Sequence, residues 1–340
     1  MTGGERGKGG EGIFRPPVHH AVIAVGIDLE RHQIIVYAVA VGAAMAAALV
    51  RPEVAARLEP LINPVLAVLL YATFLLVPFV HLRRSLGNRR FLAASLVVNF
   101  LVVPFVAFGL VRLLVNDPVL AVGAIMVLVT PCIDYVVTFT RLAGGDAGQV
   151  AATTPLLMLL QLLLLPVYLW FFVGASVAGI VEPRPLLEAF VLIIALPLFL
   201  AWGTEALAER RKSVQRWQTI VGGLSVPLVA LTLFVIIASQ LPRVQGSVVR
   251  LLPVVGVYAV FLIVIPPLAW ATAVRLNMAP HERTALVFTS VTRNSLVVLP
   301  LALALPAAYL LVPAVVVTQT LVELIGMVVL TAVMARVGRD

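Results

Sequence analysis

Apolar stretches about twenty residues long follow one another through almost the whole chain, separated by short polar segments. Each is long enough to cross the ~30 Å hydrocarbon core of a bilayer as a helix. They are predicted at residues 33–50, 61–80, 91–111, 119–140, 150–176, 186–207, 217–240, 250–273, 284–306 and 312–335. Composition agrees, because 12% of the 340 residues are charged, against about 25% in soluble domains. The sequence therefore predicts an all-α polytopic membrane protein with ten transmembrane helices.

Arginine and lysine are distributed unevenly over the connecting segments. With the N-terminus in the cytoplasm, seventeen of the 24 cationic residues fall in cytoplasmic segments. Six fall outside, namely Arg51, Arg57, Arg112, Arg184, Arg243 and Arg250. Because positive residues are retained on the cytoplasmic side, we expect both termini in the cytoplasm. The predicted location is the plasma membrane, which in a bacterium is the inner membrane. This distribution also explains the net charge of +8 without a nucleic-acid partner.

The chain divides into three predicted parts. Residues 1–32 combine a glycine-rich, charged tail with an apolar run too short to span a bilayer, and they are predicted to form a cytoplasmic tail with an interfacial segment. The ten spans then form two sets of five. Because each set has an odd number of spans, the second set crosses the membrane in the opposite orientation to the first, as in the inverted repeats of secondary transporters. We therefore predict one repeat at residues 33–180 and an inverted one at residues 181–340.

Two of the predicted spans are interrupted by polar residues. The fourth breaks at Thr130 and Pro131, and Cys132 and Asp134 follow the break. The ninth carries a polar run made of Thr289, Ser290, Thr292, Arg293, Asn294 and Ser295. Such a break frees backbone groups that must face protein or a water-filled cavity. Broken helices at equivalent positions of two halves are typical of a midplane binding site, so we expect the two to cross near mid-membrane.

The segment PCIDYVVTFTRLAGGD resembles the fourth span of the arsenite efflux carriers, which belong to the bile acid:sodium symporter superfamily. Further points of similarity are Leu29-Glu30-Arg31, Asn99 with Pro104, FTSVTRNS in the ninth span, and Leu321-Val322-Glu323. The resemblance implies a secondary transporter that exports arsenite and uses Cys132 as its thiol. Trivalent arsenic is thiophilic, and a single sulfur contact lets the substrate leave again.

The ninth span departs from the pattern of this superfamily. Arsenite carriers usually have an asparagine pair followed by a glutamate, where this chain has Arg293, Asn294 and Leu296. Sodium-coupled members usually have an acidic residue and a glutamine, where this chain has Thr289 and Arg293. The carboxylate of Asp134 is expected to pair with Arg293, since either charge alone is costly in a bilayer. Without a ninth-span carboxylate we expect no sodium site, and a proton-driven or uniport cycle.

The candidate substrate-binding residues are Cys132, Asp134, Arg293, Asn294, Asn99 and Glu323. Structural interpretations remain open for each of them. Cys132 is also explained as a small packed hydrophobe, and Asp134 with Arg293 as an ion pair that pins two helices. Asn99 and Asn294 are also explained as interhelical hydrogen bonds, the interpretation we prefer for Gln161. Glu323 needs a partner in mid-span, and a proton-handling or site-shaping role is predicted for it.

Two alternative functions remain open at this stage. The first is a carrier of organic anions in which Arg293 binds the anionic group through a bidentate fork. The second is a sensor or scaffold that keeps the carrier fold without transport. No nucleotide-binding or hydrolase motif is present, so the sequence predicts no enzyme activity and no cofactor. The expected partners are a small-molecule substrate, protons and the lipid bilayer, and the oligomeric state is left open.

Overall fold

The computed structural model describes residues 33–75, 88–114, 116–132, 135–173, 183–244 and 248–337. The predicted tail and interfacial segment at residues 1–32 lie outside these ranges, and so does Asp134. Within them the α-helices are α1 Gln33–Val50, α2 Pro52–Ala56, α3 Ile62–Leu75, α4 Arg89–Val97, α5 Val103–Val111, α6 Pro118–Leu128, α7 Val136–Leu142, α8 Ala147–Val173, α9 Pro183–Ala189, α10 Leu196–Ala208, α11 Lys212–Gly222, α12 Ser225–Val244, α13 Val248–Arg275, α14 Pro280–Val291, α15 Ser295–Leu303 and α16 Val312–Val337. Short π-helical segments, Val98–Val102 and Phe190–Ala195, join α4 to α5 and α9 to α10.

Seven helical stretches among the described residues are long and apolar enough to cross a membrane. They are Pro52–Leu75, Arg89–Leu114, Ala147–Leu165, Leu187–Ala208, Ser225–Pro242, Val249–Arg275 and Val312–Arg336. Large apolar side chains such as Phe105 and Ile325 are about two-thirds exposed on the outside of the bundle. A lipid environment accounts for such exposure, which soluble domains limit to small patches. The prediction of an all-helical membrane protein is therefore supported, while the ten-span inverted repeat stays a prediction.

The helices pack as two groups. The first consists of α1, α2, α3 and α9 to α12, whose main neighbours are one another. The second consists of α4 to α8 and α13 to α16, and it contains both broken helices. The two groups meet mainly where α12 packs on α16 and where α15 packs on α3 and the second π segment. Each group draws helices from both halves of the chain, so packing does not follow the predicted division at residue 180.

The predicted seventh span begins too early in the sequence-based assignment. A single helix was expected at 217–240, but Lys212–Gly222 forms a separate amphipathic helix and the long apolar helix begins at Ser225. The first of these, α11, carries Lys212, Arg216 and polar residues on one side, and a charged face cannot enter the hydrocarbon core cheaply. The span therefore starts after the turn at Gly223.

Consecutive glycines place the end of α7 against α14. Gly144 adopts the left-handed backbone conformation, with φ at 76°, and so ends the helix at low steric cost. A Cβ atom on Gly145 would lie 2.7 Å from Thr140 and 2.9 Å from Thr284, so only glycine allows this approach. The amide of Asp146 then donates to the carbonyl of His281 at 3.0 Å, which ties the start of α8 to the start of α14.

Asp117 joins two helices of the second group. Its carboxylate caps α6 by accepting from the amides of Val119 and Leu120. It also accepts from two nitrogens of Arg250 at 2.6 and 3.0 Å. The hydrogen bond from Arg250 is the main cause that holds the pKa of Asp117 below its ordinary value of 3.8. A carboxylate with a lowered pKa stabilises the fold above its ordinary pKa, and this contribution is lost as the pH falls through the lowered value.

We expect Asp117→Ala to lower the stability of the purified protein by about 1–2 kcal/mol, because it removes both a helix cap and an ion pair. Arg250→Gln should cost about 1 kcal/mol or less, since half of that side chain is exposed. Thermal unfolding at pH 7 and below pH 4 tests both, and the loss should shrink at the lower pH. Arg184→Gln, in a mostly exposed pair with Glu188, is the matched control. Equal losses for Asp117→Ala and this control would contradict the assignment.

Candidate substrate site at the crossing of two broken helices

The two interrupted helices meet at their breaks. The helix α6 ends at Leu128 and α7 begins at Val136, while α14 ends at Val291 and α15 begins at Ser295. Pro131 and Arg293 form an antiparallel β-bridge across the crossing. The amide of Cys132 donates to the carbonyl of Thr292 at 3.0 Å, and the amide of Asn294 donates to the carbonyl of Thr130 at 2.8 Å. Backbone groups freed by one break are therefore satisfied by the other, which is the condition for irregular backbone inside a membrane.

Side chains at the breaks close the helix ends. Asn294 caps α15 by accepting from the amide of Val297 at 3.1 Å. The hydroxyls of Thr130, Ser290 and Thr292 donate to carbonyls three or four residues earlier, and Ser295 is hydrogen-bonded to Thr320 on α16. These polar residues, which predicted the breaks in the fourth and ninth spans, thus have a local structural function. Thr289 is the exception, because its hydroxyl oxygen is buried without a hydrogen-bond partner among the described residues.

Arg293 lies fully buried at the centre of the crossing. Its guanidinium donates to the carbonyls of Ser290 at 2.6 Å and of Thr289 at 3.3 Å, at the C-terminal end of α14. It also donates to the carbonyl of Leu128, the last residue of α6, at 3.3 Å. Helix C-termini carry unpaired carbonyls and partial negative charge. The cation therefore occupies the point where the negative ends of two helices converge.

Asn99 and Phe261 complete the surroundings of the guanidinium. The side-chain oxygen of Asn99 accepts from Arg293 at 2.8 Å, and the guanidinium carbon lies 5.7 Å from the centre of the Phe261 ring, a cation–π distance. Asn99 belongs to the π segment before Pro104. That proline has no N–H for the carbonyl of Phe100, which instead accepts from Tyr168 at 2.7 Å. Asn99 therefore makes a side-chain hydrogen bond to another part of the helix bundle, as its structural interpretation predicts.

Glu323 on α16 accepts three hydrogen bonds at the other side of the crossing. The backbone amide of Arg293 donates to it at 2.8 Å and the hydroxyl of Tyr135 at 2.6 Å. The side-chain amide of Gln319, one turn away, is the third donor. A buried carboxylate needs such donors to offset its desolvation. Glu323 therefore has the partners that its mid-span position required, and it fixes the extended segment that carries Arg293.

Cys132 is buried, with 1% of its surface exposed. It follows the bridged Pro131 directly, so its position is set by the backbone pairing of the two breaks. Four buried side-chain N and O atoms of neighbouring residues have no hydrogen-bond partner among the described residues. They are Arg293 Nε, Asn294 Nδ2, Thr289 Oγ1 and Gln319 Oε1. Buried polar atoms are normally satisfied, so these two donors and two acceptors are available to a bound polar molecule.

The structure brings Cys132, Arg293, Asn294, Asn99 and Glu323 together around one crossing. Asp134 lies outside the described residues, so its pairing with Arg293 stays a prediction. The interpretation of Gln161 as an interhelical hydrogen bond is wrong for the described residues, because both polar atoms of its buried amide lack a partner. Sequence reasoning also missed four contacting residues: Leu128, Tyr135, Phe261 and Gln319. Tyr135 and Gln319 carried a usable signal, since one follows the break and the other shares a helix face with Glu323.

A narrow, mostly apolar cavity lies beside the crossing, between the two helix groups. Tyr37 of α1 and Leu233 of α12 line it from the first group. Tyr135, Leu296 and Thr320 line it from the second group. A second small cavity continues past Leu299 along α15 and α16. Each of these cavities has a volume of about 10 Å³, which is room for about one water molecule.

Comparison with known proteins gives one family. The model of the Sodium Bile acid symporter family matches residues 63–247, which is more than half of the chain. The matched range includes the first break with Cys132, and it ends before the second break and Glu323. No curated protein matches the sequence significantly.

Proposed function

This chain belongs to the sodium bile acid symporter family, and we propose from that premise that it is a secondary transporter exporting arsenite across the plasma membrane. The observation that carries the proposal is the buried thiol of Cys132 at the crossing of the two breaks. A single thiolate is the soft ligand that trivalent arsenic prefers. Around it, Arg293 Nε and Asn294 Nδ2 can donate, and Thr289 Oγ1 can accept. Those groups suit the hydroxyls of arsenous acid.

The geometry favours arsenite over an organic anion. A carboxylate or sulfonate bound in a bidentate fork needs two adjacent N–H groups of one guanidinium. Both terminal nitrogens of Arg293 already donate, to Asn99 and to the carbonyls of Leu128, Thr289 and Ser290. An anion would have to displace these bonds, whereas a neutral hydroxyl can use the remaining Nε. The carrier of organic anions is therefore the second candidate.

We propose a proton as the driving ion rather than sodium. Carbonyl and amide oxygens are the hard ligands that alkali cations take, and at this crossing the guanidinium of Arg293 already occupies four of them. A second cation beside it would be repelled by several kcal/mol at low dielectric. Glu323 is the described carboxylate nearest to this arrangement, and it is our candidate for taking up a proton.

Uptake of arsenite into everted membrane vesicles tests this function, because export from the cell becomes uptake into such vesicles. We expect uptake to follow an imposed pH gradient and to stay unchanged when choline replaces sodium. Vesicles without the protein give the background, and a radiolabelled bile acid serves as the competing substrate. Sodium-dependent uptake of the bile acid without uptake of arsenite would establish the second candidate instead.

The proposed orientation predicts the result of reporter fusions. Fusions after Arg84 and Arg211 should read cytoplasmic, and fusions after Glu59 and Arg243 should read external, because cationic residues are retained inside. Paired phosphatase and fluorescent reporters at the four positions make the measurement. The opposite reading at either pair would overturn the ten-span arrangement with both termini inside.

A further inference from the structure

The amphipathic helix α11 is too short to span a bilayer and connects two helices that are long enough to do so. It has eleven residues, Lys212–Gly222, and is therefore about 16 Å long, too short to cross a hydrocarbon core of about 30 Å. It connects α10 to α12, and both of these belong to stretches long and apolar enough to span. A short helix between two spans lies along the interface, where charged and aromatic side chains can each reach their preferred medium.

Hydrogen bonds fix α11 rigidly to the first helix group. The indole nitrogen of Trp217 donates to the hydroxyl of Tyr71 on α3 at 3.1 Å. That hydroxyl is also hydrogen-bonded to Thr204 on α10 at 3.1 Å. Gln218 donates to the carbonyl of Leu75 on α3 at 2.9 Å. Anything bound to α11 is therefore held at a fixed place relative to α3 and α10.

Four cations are concentrated at the start of this helix. Arg210, Arg211, Lys212 and Arg216 are all exposed, and Glu209 is the one acidic residue between 209 and 222. Lys212 and Arg216 lie one turn apart on the same face, a like-charge spacing that destabilises a helix. An anionic ligand at this face would remove the repulsion. Half of Trp217 is exposed beside the cluster, as is usual for tryptophan at the level of lipid headgroups.

We propose that this basic face, made of Arg210, Arg211, Lys212 and Arg216, binds the headgroups of anionic phospholipids. Lipid is favoured over soluble phosphate because apolar side chains flank the cluster: Leu207 and Leu224 are each about two-fifths to one-half exposed and can contact acyl chains. The proposed orientation places α11 in the cytoplasmic leaflet, which carries the anionic lipids. The inference rests on that orientation, and it is independent of the transported substrate.

Quenching of Trp217 by brominated lipids tests the proposal. A single-tryptophan variant, Trp170→Phe/Trp202→Phe/Trp270→Phe, is purified and placed in vesicles of phosphatidylcholine with brominated phosphatidylglycerol or brominated phosphatidylcholine. Since each cation near the surface favours anionic lipid, the binding constant for the anionic lipid should exceed that of the neutral one by about threefold or more. The preference should fall at high salt, because exposed charges are screened.

Three further variants in the same background decide the interpretation. Replacing Arg210, Arg211, Lys212 and Arg216 by Gln should reduce the ratio to about one, while replacing the three arginines by Lys should retain the preference. The matched control, Arg51→Gln/Arg57→Gln/Arg89→Gln/Arg90→Gln, removes the same net charge from exposed sites elsewhere and should also retain it. A ratio of one in the parent protein, loss of preference in the matched control, or loss on adding inorganic phosphate would each overturn the proposal.

Discussion

Cys132→Ser is expected to abolish arsenite transport while the protein remains folded and inserted. Sulfur is the soft ligand for trivalent arsenic, and a hydroxyl does not replace it. The hydrogen bond between Cys132 and Thr292 joins the main-chain amide of one to the main-chain carbonyl of the other. The crossing therefore keeps its geometry when the side chain of Cys132 changes. We expect uptake into everted vesicles to fall to background, with no shift in thermal unfolding beyond that of an ordinary buried substitution.

A matched control for this change is Met126→Leu. Met126 is equally buried and also carries sulfur, but it lies in the body of α6 and is not at the break. Its replacement conserves volume and should cost little, so transport should remain close to that of the parent protein. Arsenite transport that survives Cys132→Ser, or that is lost equally in Met126→Leu, would refute the role of the thiol and favour the carrier of organic anions.

Much of the crossing could be predicted from sequence because its signals are local. Pro131 removes a backbone donor wherever it stands in a helix, and a polar run such as Thr292 to Ser295 cannot remain an apolar span. Each break leaves backbone groups that need a partner away from water, so the sequence predicts that they face protein or a cavity and that the two helices cross, but not which groups pair. The bridge between Pro131 and Arg293 is the form that this pairing takes.

The surroundings of Arg293 could not be predicted in the same way. Reasoning by charge suggested a carboxylate partner, but the described guanidinium bonds run to main-chain carbonyls of α6 and α14 and to the amide of Asn99. Whether carbonyls are available depends on where each helix ends, and helix ends are known only from the fold. Glu323 was expected near the site, yet its bond to the backbone amide of Arg293 depends on the register of α16, which the sequence leaves undetermined.

The amphipathic helix α11 shows a limit of a different kind. The stretch from Lys212 to Gly222 alternates cationic, polar and apolar residues, and a window of twenty residues merges its apolar part with the span that follows. The helical pattern alone would have separated them, because Lys212 and Arg216 fall on one side and Val214 and Val221 on the other. Length alone places the start of the seventh span too early, and the 3.6-residue periodicity of Lys212–Gly222 places it after Gly223.

Arg293→Ala is expected to have the largest effect on both folding and transport. The change leaves the oxygen of Asn99 and the carbonyls of Leu128, Thr289 and Ser290 buried without this donor. Breaking a buried charged network by removing one partner typically costs about 3–5 kcal/mol. We expect a strong fall in thermal stability in detergent and no arsenite uptake.

Arg293→Lys keeps the charge, but the single nitrogen of lysine cannot reach all the acceptors of a planar guanidinium. This variant should therefore be more stable than Arg293→Ala and still not transport arsenite.

Arg283→Ala is the matched control, because Arg283 lies on α14, the helix that leads into the break at Arg293, and makes contacts of the same kinds. It donates to the carbonyl of Met278 at 2.8 Å, and its guanidinium lies 5.7 Å from the Trp270 ring. It is only partly buried in the first turn of α14, so its loss should cost about 1 kcal/mol and leave uptake largely intact. Free guanidinium ion at low millimolar concentration should restore part of the thermal stability of Arg293→Ala, and not of Arg283→Ala. The claim under test is that the guanidinium of Arg293 occupies the oxygens that a sodium ion would otherwise bind. It would be refuted if Arg293→Ala unfolds no more easily than this control. It would also be refuted if flux through the parent protein depends on sodium.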